Sequence, residues 1–170
     1  VVNEFGKPKL VFATKRGLSF DLHASSIDID DYGWHHLALC GDGQRLTLYI
    51  DGQQGPSESV SQFAQVVSPV NVYLGEHPHR QRSSRDCAFQ GDIRWFRISS
   101  SCRYAQAFSP SHTFHPDDDT VVLLDLSKAE GNSVADLSGK NHHGRIAGAS
   151  PVRVDDVRLA VSEGPYALEL

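Results

Sequence analysis

The sequence lacks methionine, even at position 1, and it lacks any apolar run of about 18 residues, the length that a transmembrane helix requires. No signal peptide is recognisable either. These absences exclude a predicted membrane span, so membrane insertion is not expected. Without an initiating methionine, we expect the chain to be a piece of a longer protein that has neighbouring domains.

Basic residues are fewer than acidic ones. The sequence has 16 Lys and Arg and 21 Asp and Glu, which gives a formal net charge of −5. Proteins that bind nucleic acid carry a clustered basic surface, so nucleic acid is not an expected partner. Arg80, Arg82 and Arg85 form the densest basic group, in a Ser-rich stretch typical of a solvated loop. With 39% hydrophobic and 22% charged residues over 170 positions, the composition is that of a soluble globular domain.

Motifs for catalysis are missing. The sequence has no Gly-x-Ser-x-Gly nucleophile motif and no Gly-rich phosphate loop. No glutamate belongs to a Glu-x-Asp-x-Glu array, the pattern by which a retaining glycosidase brings two carboxyl groups within about 5 Å. The nearest pattern, Asp28-Ile29-Asp30-Asp31, runs into a turn at Tyr32-Gly33. We therefore expect a protein that is not an enzyme, with glycoside hydrolysis as the alternative.

The three cysteines, Cys40, Cys87 and Cys102, include no Cys-x-x-Cys pair, which argues against a zinc knuckle. Both one disulfide with a free thiol and three unpaired buried thiols fit the sequence. Cys87 and Cys102 bracket a predicted strand of about eight residues, which is too long for a direct bond unless the chain folds back. A disulfide between Cys40 and either partner is equally open.

The sequence is rich in alternation of apolar and polar residues with a period of two, which predicts half-buried strands. Residues 34–40 and 45–50 show it on either side of Gly41-Asp42-Gly43, and the Gly-rich turn predicts a hairpin. Residues 70–74 repeat the pattern. Further strand candidates are 10–12, 18–22, 93–98, 145–147, 152–154, 158–161 and 166–170.

Two segments break this pattern. Residues 120–126 are nearly all apolar, which predicts a strand buried on both faces or at a sheet centre. Residues 57–67 fit one helical turn or a loop, and residues 108–119, with Pro110 and Pro116, fit an ordered crossing between strands. Many short strands with very little helix predict an all-β sandwich or jelly roll.

Four segments together resemble the laminin-G-like, concanavalin A-like lectin/glucanase superfamily. The first is Trp34-His35-His36-Leu37-Ala38-Leu39 with Leu46-x-Leu48-Tyr49-Ile50-Asp51-Gly52, similar to a hairpin of the family. The others are Val72-Tyr73-Leu74-Gly75, Phe89-Gln90-Gly91-Asp92-Ile93 with Phe96-Arg97-Ile98, and the turn Asp136-Leu137-Ser138-Gly139-Lys140-Asn141-His142-His143-Gly144. In this comparison Trp34 is expected to anchor the core and Asp51-Gly52 to form a turn.

The resemblance implies a concanavalin-like jelly-roll sandwich of two antiparallel sheets. We expect residues 1–170 to form a single domain, in which residues 108–170 supply outer strands or begin a following repeat. The resemblance further implies an extracellular or cell-surface module that binds a carbohydrate or a protein partner through its loops. The alternatives are a structural or assembly domain without a soluble ligand, and a glycoside hydrolase of the same fold.

Candidate site residues follow from their chemistry. Exposed aromatic and cationic side chains suit a glycan or an acidic partner, and no catalytic residue is assigned. Residues 28–31 and residues 117–119 form two acidic loops, which fit either solvated turns or calcium sites. Calcium prefers carboxylate oxygens in loops, so it is a possible cofactor, with residues 28–31 as its candidate site. Transition-metal binding through His77 and His79 lacks an identifiable third ligand. The candidates are Tyr32, His77, His79, Arg80, Arg82 and Tyr104 for ligand, and Asp28, Asp30 and Asp31 for calcium.

Overall fold

The computed structural model describes residues 9–13, 19–23, 33–59, 72–75, 89, 91–150 and 168–169, with the backbone alone for 9–13, 19–23 and 168–169. Within these residues the regular structure is strand, apart from one 3-10 turn at Leu126–Lys128. The prediction of an all-β, concanavalin-like fold is confirmed. The strands are β1 (Lys9–Ala13), β2 (Ser19–His23), β3 (Leu37–Gly41), β4 (Arg45–Ile50), β5 (Gln53–Ser59), β6 (Trp95–Ser99), β7 (Thr120–Asp125), β8 (Ser133–Val134), β9 (Gly144–Arg145) and β10 (Leu168–Glu169).

The largest sheet has the strand order β5-β4-β3-β10-β6-β7. Its neighbours pair antiparallel except at β10, which is parallel to both β3 and β6. β1 pairs with β2 in a second sheet, and β8 pairs with β9 in a third. Among the described residues, no helix reaches the length and hydrophobicity needed to cross a membrane.

The predicted hairpin is present as β3 and β4, which pair antiparallel from Leu37 opposite Ile50 to Gly41 opposite Leu46. The Asp42 carboxylate closes its turn by accepting the backbone N–H groups of Gln44 at 2.8 Å and Arg45 at 2.7 Å. A side chain that accepts hydrogen bonds in this way keeps the backbone amides of the turn paired. The local sequence therefore determines both strands and the turn between them.

The predicted turn at Asp51 and Gly52 is also present, and both residues have positive φ, at 51° and 75°. A Cβ on Gly52 would lie 1.8 Å from the carbonyl oxygen of Phe108, so no side chain fits there. The Gly52 carbonyl in turn accepts the Phe108 N–H at 2.9 Å. The turn therefore brings the segment after β6 against the β4–β5 connection.

β5 follows this turn and was not predicted. The helical or loop interpretation of residues 57–67 is wrong for residues 57–59, which lie in β5, and its remainder lies outside the described residues. Gly55 and Pro56 are poor strand formers, but proline is accepted on an edge strand, where its missing N–H costs no pairing. β5 is such an edge in the described sheet, and the register shifts between Thr47 and Tyr49. Pairing with β4 therefore overrides the local preference.

The strand predicted over residues 70–74 is wrong for residues 72–74, which the structure leaves outside any strand, while residues 70 and 71 lie outside the described part. Val72 and Tyr73 are 51% and 52% exposed, although Leu74 packs against the core. The alternation in this segment therefore marks one buried contact, without a paired strand. Residues 152–154 and 158–161 also lie outside the described residues.

The core lies along β3, β4, β6 and β7. Trp34, the expected anchor, is only partly buried and lies three residues before β3. Trp95 at the start of β6 is buried instead and contacts Phe114, which places one residue of the segment 108–119 in the core. Two further clusters among the described residues are Ala38, Cys40 and Tyr49, and Phe96, Leu124 and Val134.

β7 is buried on both faces, as predicted, since the adjacent residues Leu123 and Leu124 are both buried. It lies at the end of the strand order among the described residues, and the alternative of a sheet centre stays a prediction. The following chain covers it, because the Leu123 carbonyl accepts the Leu137 N–H at 2.8 Å. The assignment of residues 1–170 to one domain stays a prediction.

Candidate functional site

Most of the predicted ligand and metal residues lie outside the described part of the chain. Tyr104 is the one ligand candidate that the structure describes, and Cys40 and Cys102 are the described cysteines, both unbonded. The predictions for the remaining positions stay predictions. Those positions are Tyr32, His77, His79, Arg80, Arg82, Cys87, Asp28, Asp30 and Asp31.

Tyr104 lies between the core and the surface. Its ring stacks on Phe108 with centroids 3.5 Å apart and lies 6.0 Å from the Tyr49 ring. Its hydroxyl accepts a hydrogen bond from the Arg97 guanidinium at 3.5 Å, and burial raises its pKa. One ring face is therefore used for packing, and a ligand contact through the remainder stays a prediction.

A small surface recess opens beside Tyr104, between the end of β3 and the chain that follows β6. Its walls combine three hydroxyl groups, a guanidinium and a thiol, which are groups that can hydrogen-bond a polar ligand. The lining residues are Ala38, Leu39, Cys40, Ser99, Ser101, Arg103 and Tyr104.

Arg103 is held rigidly in this recess. Its guanidinium forms a two-pronged contact with the Asp117 carboxylate, at 2.8 and 2.6 Å, and also donates to Ser99 Oγ and Thr120 Oγ1. These hydrogen bonds raise the pKa of Arg103 and hold that of Asp117 well below its usual range. The paired fork geometry is specific to arginine. Arg103 thus fastens the chain after β6 to the start of β7.

Arg97 is a second cation, buried within β6. Its guanidinium carbon lies 4.7 Å from the centre of the Phe114 ring, a cation–π contact that partly replaces lost hydration. Burial lowers its pKa, and the positive charge of Arg103 acts in the same direction. Arg103 therefore places a positive charge in the wall of the recess, and Arg97 places a second one against the hydroxyl of Tyr104, another lining residue.

The histidine doublet His35-His36 is divided between two roles by the Asp51 turn. The Asp51 carboxylate accepts the His36 N–H at 2.8 Å and lies 2.8 Å from His35 Nδ1. The His36 ring is fully buried between aromatic rings, with Phe108 at 5.4 Å and Tyr104 at 6.0 Å. Burial lowers the His36 pKa to about 4, so this ring is neutral near pH 7. The doublet stabilises the fold in this arrangement.

Asp136 organises the turn that resembles the family's Asp-x-Ser-Gly motif. Its buried carboxylate accepts the backbone N–H groups of Leu123 at 3.0 Å, Ser138 at 2.9 Å and His142 at 2.9 Å, together with the Ser138 hydroxyl at 2.7 Å. Burial alone would raise its pKa, but these hydrogen bonds lower it to about 2. The carboxylate is therefore ionised and satisfied throughout the physiological range.

The second doublet completes the same turn. His143 Nδ1 accepts the Asp136 N–H at 3.0 Å, and His142 Nδ1 donates to the Val121 carbonyl at 3.0 Å. Both Nδ1 atoms are thus used in holding the turn against β7. Within the described residues, no group of three or more His, Cys, Asp or Glu side chains is placed to hold a metal ion.

Arg103 and Asp117 were not among the predicted site residues. They are 14 positions apart, and neither lies in a motif that would indicate pairing. The sequence feature closest to this ion pair is the run Asp117-Asp118-Asp119, which is typical of a solvated or calcium-binding loop. Its first member is instead an ion-pair partner, and its last accepts the Ser101 hydroxyl at 2.7 Å.

Comparison with known proteins agrees with this architecture. Residues 3–107, more than half of the chain, match the family model described as "Concanavalin A-like lectin/glucanases superfamily". No curated protein and no solved structure matches the chain significantly. The matched range contains the Trp34–Gly52 hairpin and β6, which belong to the segments whose sequence resembles the family. The chain belongs to the concanavalin A-like lectin/glucanase superfamily.

Proposed function

We propose that this chain is a non-catalytic binding module of a larger extracellular protein, and that it recognises a carbohydrate bearing acidic groups. Membership of a lectin/glucanase-like superfamily supports a binding role. Because one fold carries many functions, the ligand class is inferred from the residues of a particular site. The site proposed is the connection from Val72 to Phe89, whose two ends the structure describes.

The observation that carries the proposal is the geometry of these two ends. The Gly75 carbonyl accepts the Phe89 N–H at 2.8 Å, so residues 76–88 connect two points that are one hydrogen bond apart. Leu74 packs against the core beside this point, while Tyr73 is 52% exposed. A fixed base with an exposed aromatic ring is how a rigid β sandwich presents a binding loop.

The composition of the connection indicates the ligand class. Residues 76–88 contain three arginines against one Glu and one Asp, in a chain whose net charge is −5. Guanidinium groups pair with carboxylate or sulfate oxygens in a two-pronged manner, and the flat face of a tyrosine ring suits the apolar face of a sugar. His77, His79, Arg80 and Arg82 are the expected contacts of the acidic groups.

A glycan array tests this function. We expect the chain to bind carboxylated or sulfated glycans more tightly than neutral ones, and Tyr73→Ala to weaken binding by at least about tenfold, as for an aromatic anchor. A double Arg80→Ser and Arg82→Ser variant should weaken binding and its salt dependence together. Arg45→Ser is the matched control, because Arg45 is an exposed arginine at the start of β4, away from this connection.

Other outcomes would contradict the proposal. Binding to no glycan would favour a structural or assembly role, or a protein ligand, and release of reducing sugar would favour a glycoside hydrolase. Binding that Tyr73→Ala and the double arginine variant leave intact would place the site elsewhere. The array is run with calcium and with EDTA, because loss of binding after chelation would assign calcium to recognition through Asp28, Asp30 and Asp31.

A further inference from the structure

Two cysteines that are far apart in the sequence meet at the recess beside Tyr104. Cys40 lies near the end of β3 with its side chain buried, and Cys102 lies in the bend after β6 with its side chain exposed. In the described sheet, β10 alone lies between β3, which carries Cys40, and β6, which precedes Cys102. A buried and an exposed thiol therefore share one place in the fold.

The two sulfur atoms converge on the same stretch of backbone. Cys40 belongs to a buried cluster against which Tyr104 packs, and Cys40 and Tyr104 line the same recess. The Cys102 thiol donates to the Tyr104 carbonyl oxygen at 3.3 Å. Because both cysteines lie against Tyr104, a small movement brings the two sulfur atoms to bonding distance.

The surrounding contacts hold the pair in place. Arg103, next to Cys102, is fixed by its fork to Asp117, and Tyr104 is fixed by stacking on Phe108. Cys40 is fixed by the pairing of β3 with β4, where it lies opposite Thr47. Both backbone segments are already anchored. Formation of the disulfide therefore costs little conformational entropy in the folded protein.

We infer that Cys40 and Cys102 form an intramolecular disulfide on exposure to a small disulfide oxidant such as glutathione disulfide, and that Cys87 takes no part in it. The exposed Cys102 thiolate attacks the oxidant, forming a mixed disulfide and releasing one glutathione thiolate. The Cys40 thiolate then attacks the Cys102 sulfur, releasing the second glutathione thiolate. Two protein thiols lose two protons and two electrons, and the oxidant becomes two glutathione thiols.

The environment of the thiols sets the order of these steps. Burial and the neighbouring Cys102 thiol raise the pKa of Cys40 to about 11, so Cys40 is a thiol at neutral pH. The mixed disulfide on Cys102 should consequently accumulate first, and its conversion to the internal disulfide should accelerate as pH rises. This inference is independent of the ligand proposed above.

Peptide mapping tests the pairing directly, because trypsin separates the three cysteines into residues 17–45, 86–94 and 98–103. The reduced full chain is exposed to glutathione disulfide in mildly alkaline buffer, blocked with iodoacetamide and digested. We expect peptide 17–45 linked to peptide 98–103, with peptide 86–94 either alkylated or carrying one glutathione. A link that includes peptide 86–94, a pair of 98–103 peptides linked to each other, or three alkylated peptides would overturn the inference.

Two variants complete the test. Cys102→Ser changes an exposed side chain and should abolish the link, whereas Cys87→Ser is the matched control and should retain it. In the wild type, oxidation should raise the melting temperature by about 10 °C, since the bond closes a long loop in the unfolded chain, and dithiothreitol should reverse it. The same rise in Cys102→Ser would contradict the inference.

Discussion

Replacing Asp136 by alanine is expected to destabilise the protein by about 4 kcal/mol, because each buried donor left without an acceptor costs about 1–3 kcal/mol. The substitution removes one carboxylate that accepts hydrogen bonds from Leu123, Ser138 and His142. Leu123 is itself fully buried in β7, so water cannot replace the lost acceptor there. Urea unfolding of the variant and the wild type, followed by tryptophan fluorescence, measures the difference.

Two further variants give this measurement its control. Asp118→Ala removes an exposed carboxylate from the same region and should change stability by less than about 0.5 kcal/mol, as exposed substitutions usually do. Asp136→Asn retains one acceptor oxygen and should lie between the two. A loss below about 1 kcal/mol in Asp136→Ala would show that the turn after β7 does not depend on this carboxylate.

The β3–β4 hairpin was predictable because all of its determinants are local. The apolar residues of Leu46–Ile50 specify the strand, and Asp42 specifies the turn through its own side chain. The prediction that this strand is half-buried is wrong for its second half, because Leu48, Tyr49 and Ile50 are all buried. The same holds for the Asp51-Gly52 turn, where positive φ at glycine is a property of the residue. Where sequence neighbours determine the conformation, the sequence alone indicates it.

β5 and residues 72–74 show the opposite case. Gln53–Ser59 contains no strong strand former, and it becomes a strand because β4 offers an unpaired edge that the turn delivers it to. Val72-Tyr73-Leu74 has a good strand pattern and forms no strand among the described residues, since propensity does not supply a pairing partner. Contacts with other parts of the chain determine the conformation of both segments. Alternation within a segment does not show which contacts it will make.

The candidate site divides in the same way. Resemblance indicated the Asp136 turn as a motif, but only the structure shows that its carboxylate gathers donors from β7 and from both sides of the turn. The pairing of Arg103 with Asp117, and the meeting of Cys40 with Cys102, join segments that no sequence spacing relates. Long-range contacts of this kind arise from topology, which is why the sequence left the cysteine pairing open.

Lowering the pH from about 6.5 to about 4 is expected to remove about 3 kcal/mol of stability through His36 alone. The His36 pKa falls from 6.5 to about 4 on folding, chiefly because burial penalises the charged ring. The facing Asp51 carboxylate raises this pKa and the facing Arg97 guanidinium lowers it. In the window between the two values the unfolded chain binds the proton and the folded chain does not, so stability is complete above the window and declines as pH falls through it.

Unfolding free energies measured at several pH values, together with the titration of the His36 ring protons by NMR, check this result. His36→Phe keeps an aromatic ring without a titrating group and should flatten the dependence in this window. Leu48→Ala destabilises through lost volume in β4, and it should retain the wild-type slope. Asp136 titrates lower, with a folded pKa of about 2, so its own loss of stability falls below pH 3.8 and leaves the His36 window separate. A His36→Phe curve parallel to that of the wild type would show that burial of this imidazole does not determine the acid sensitivity of the fold.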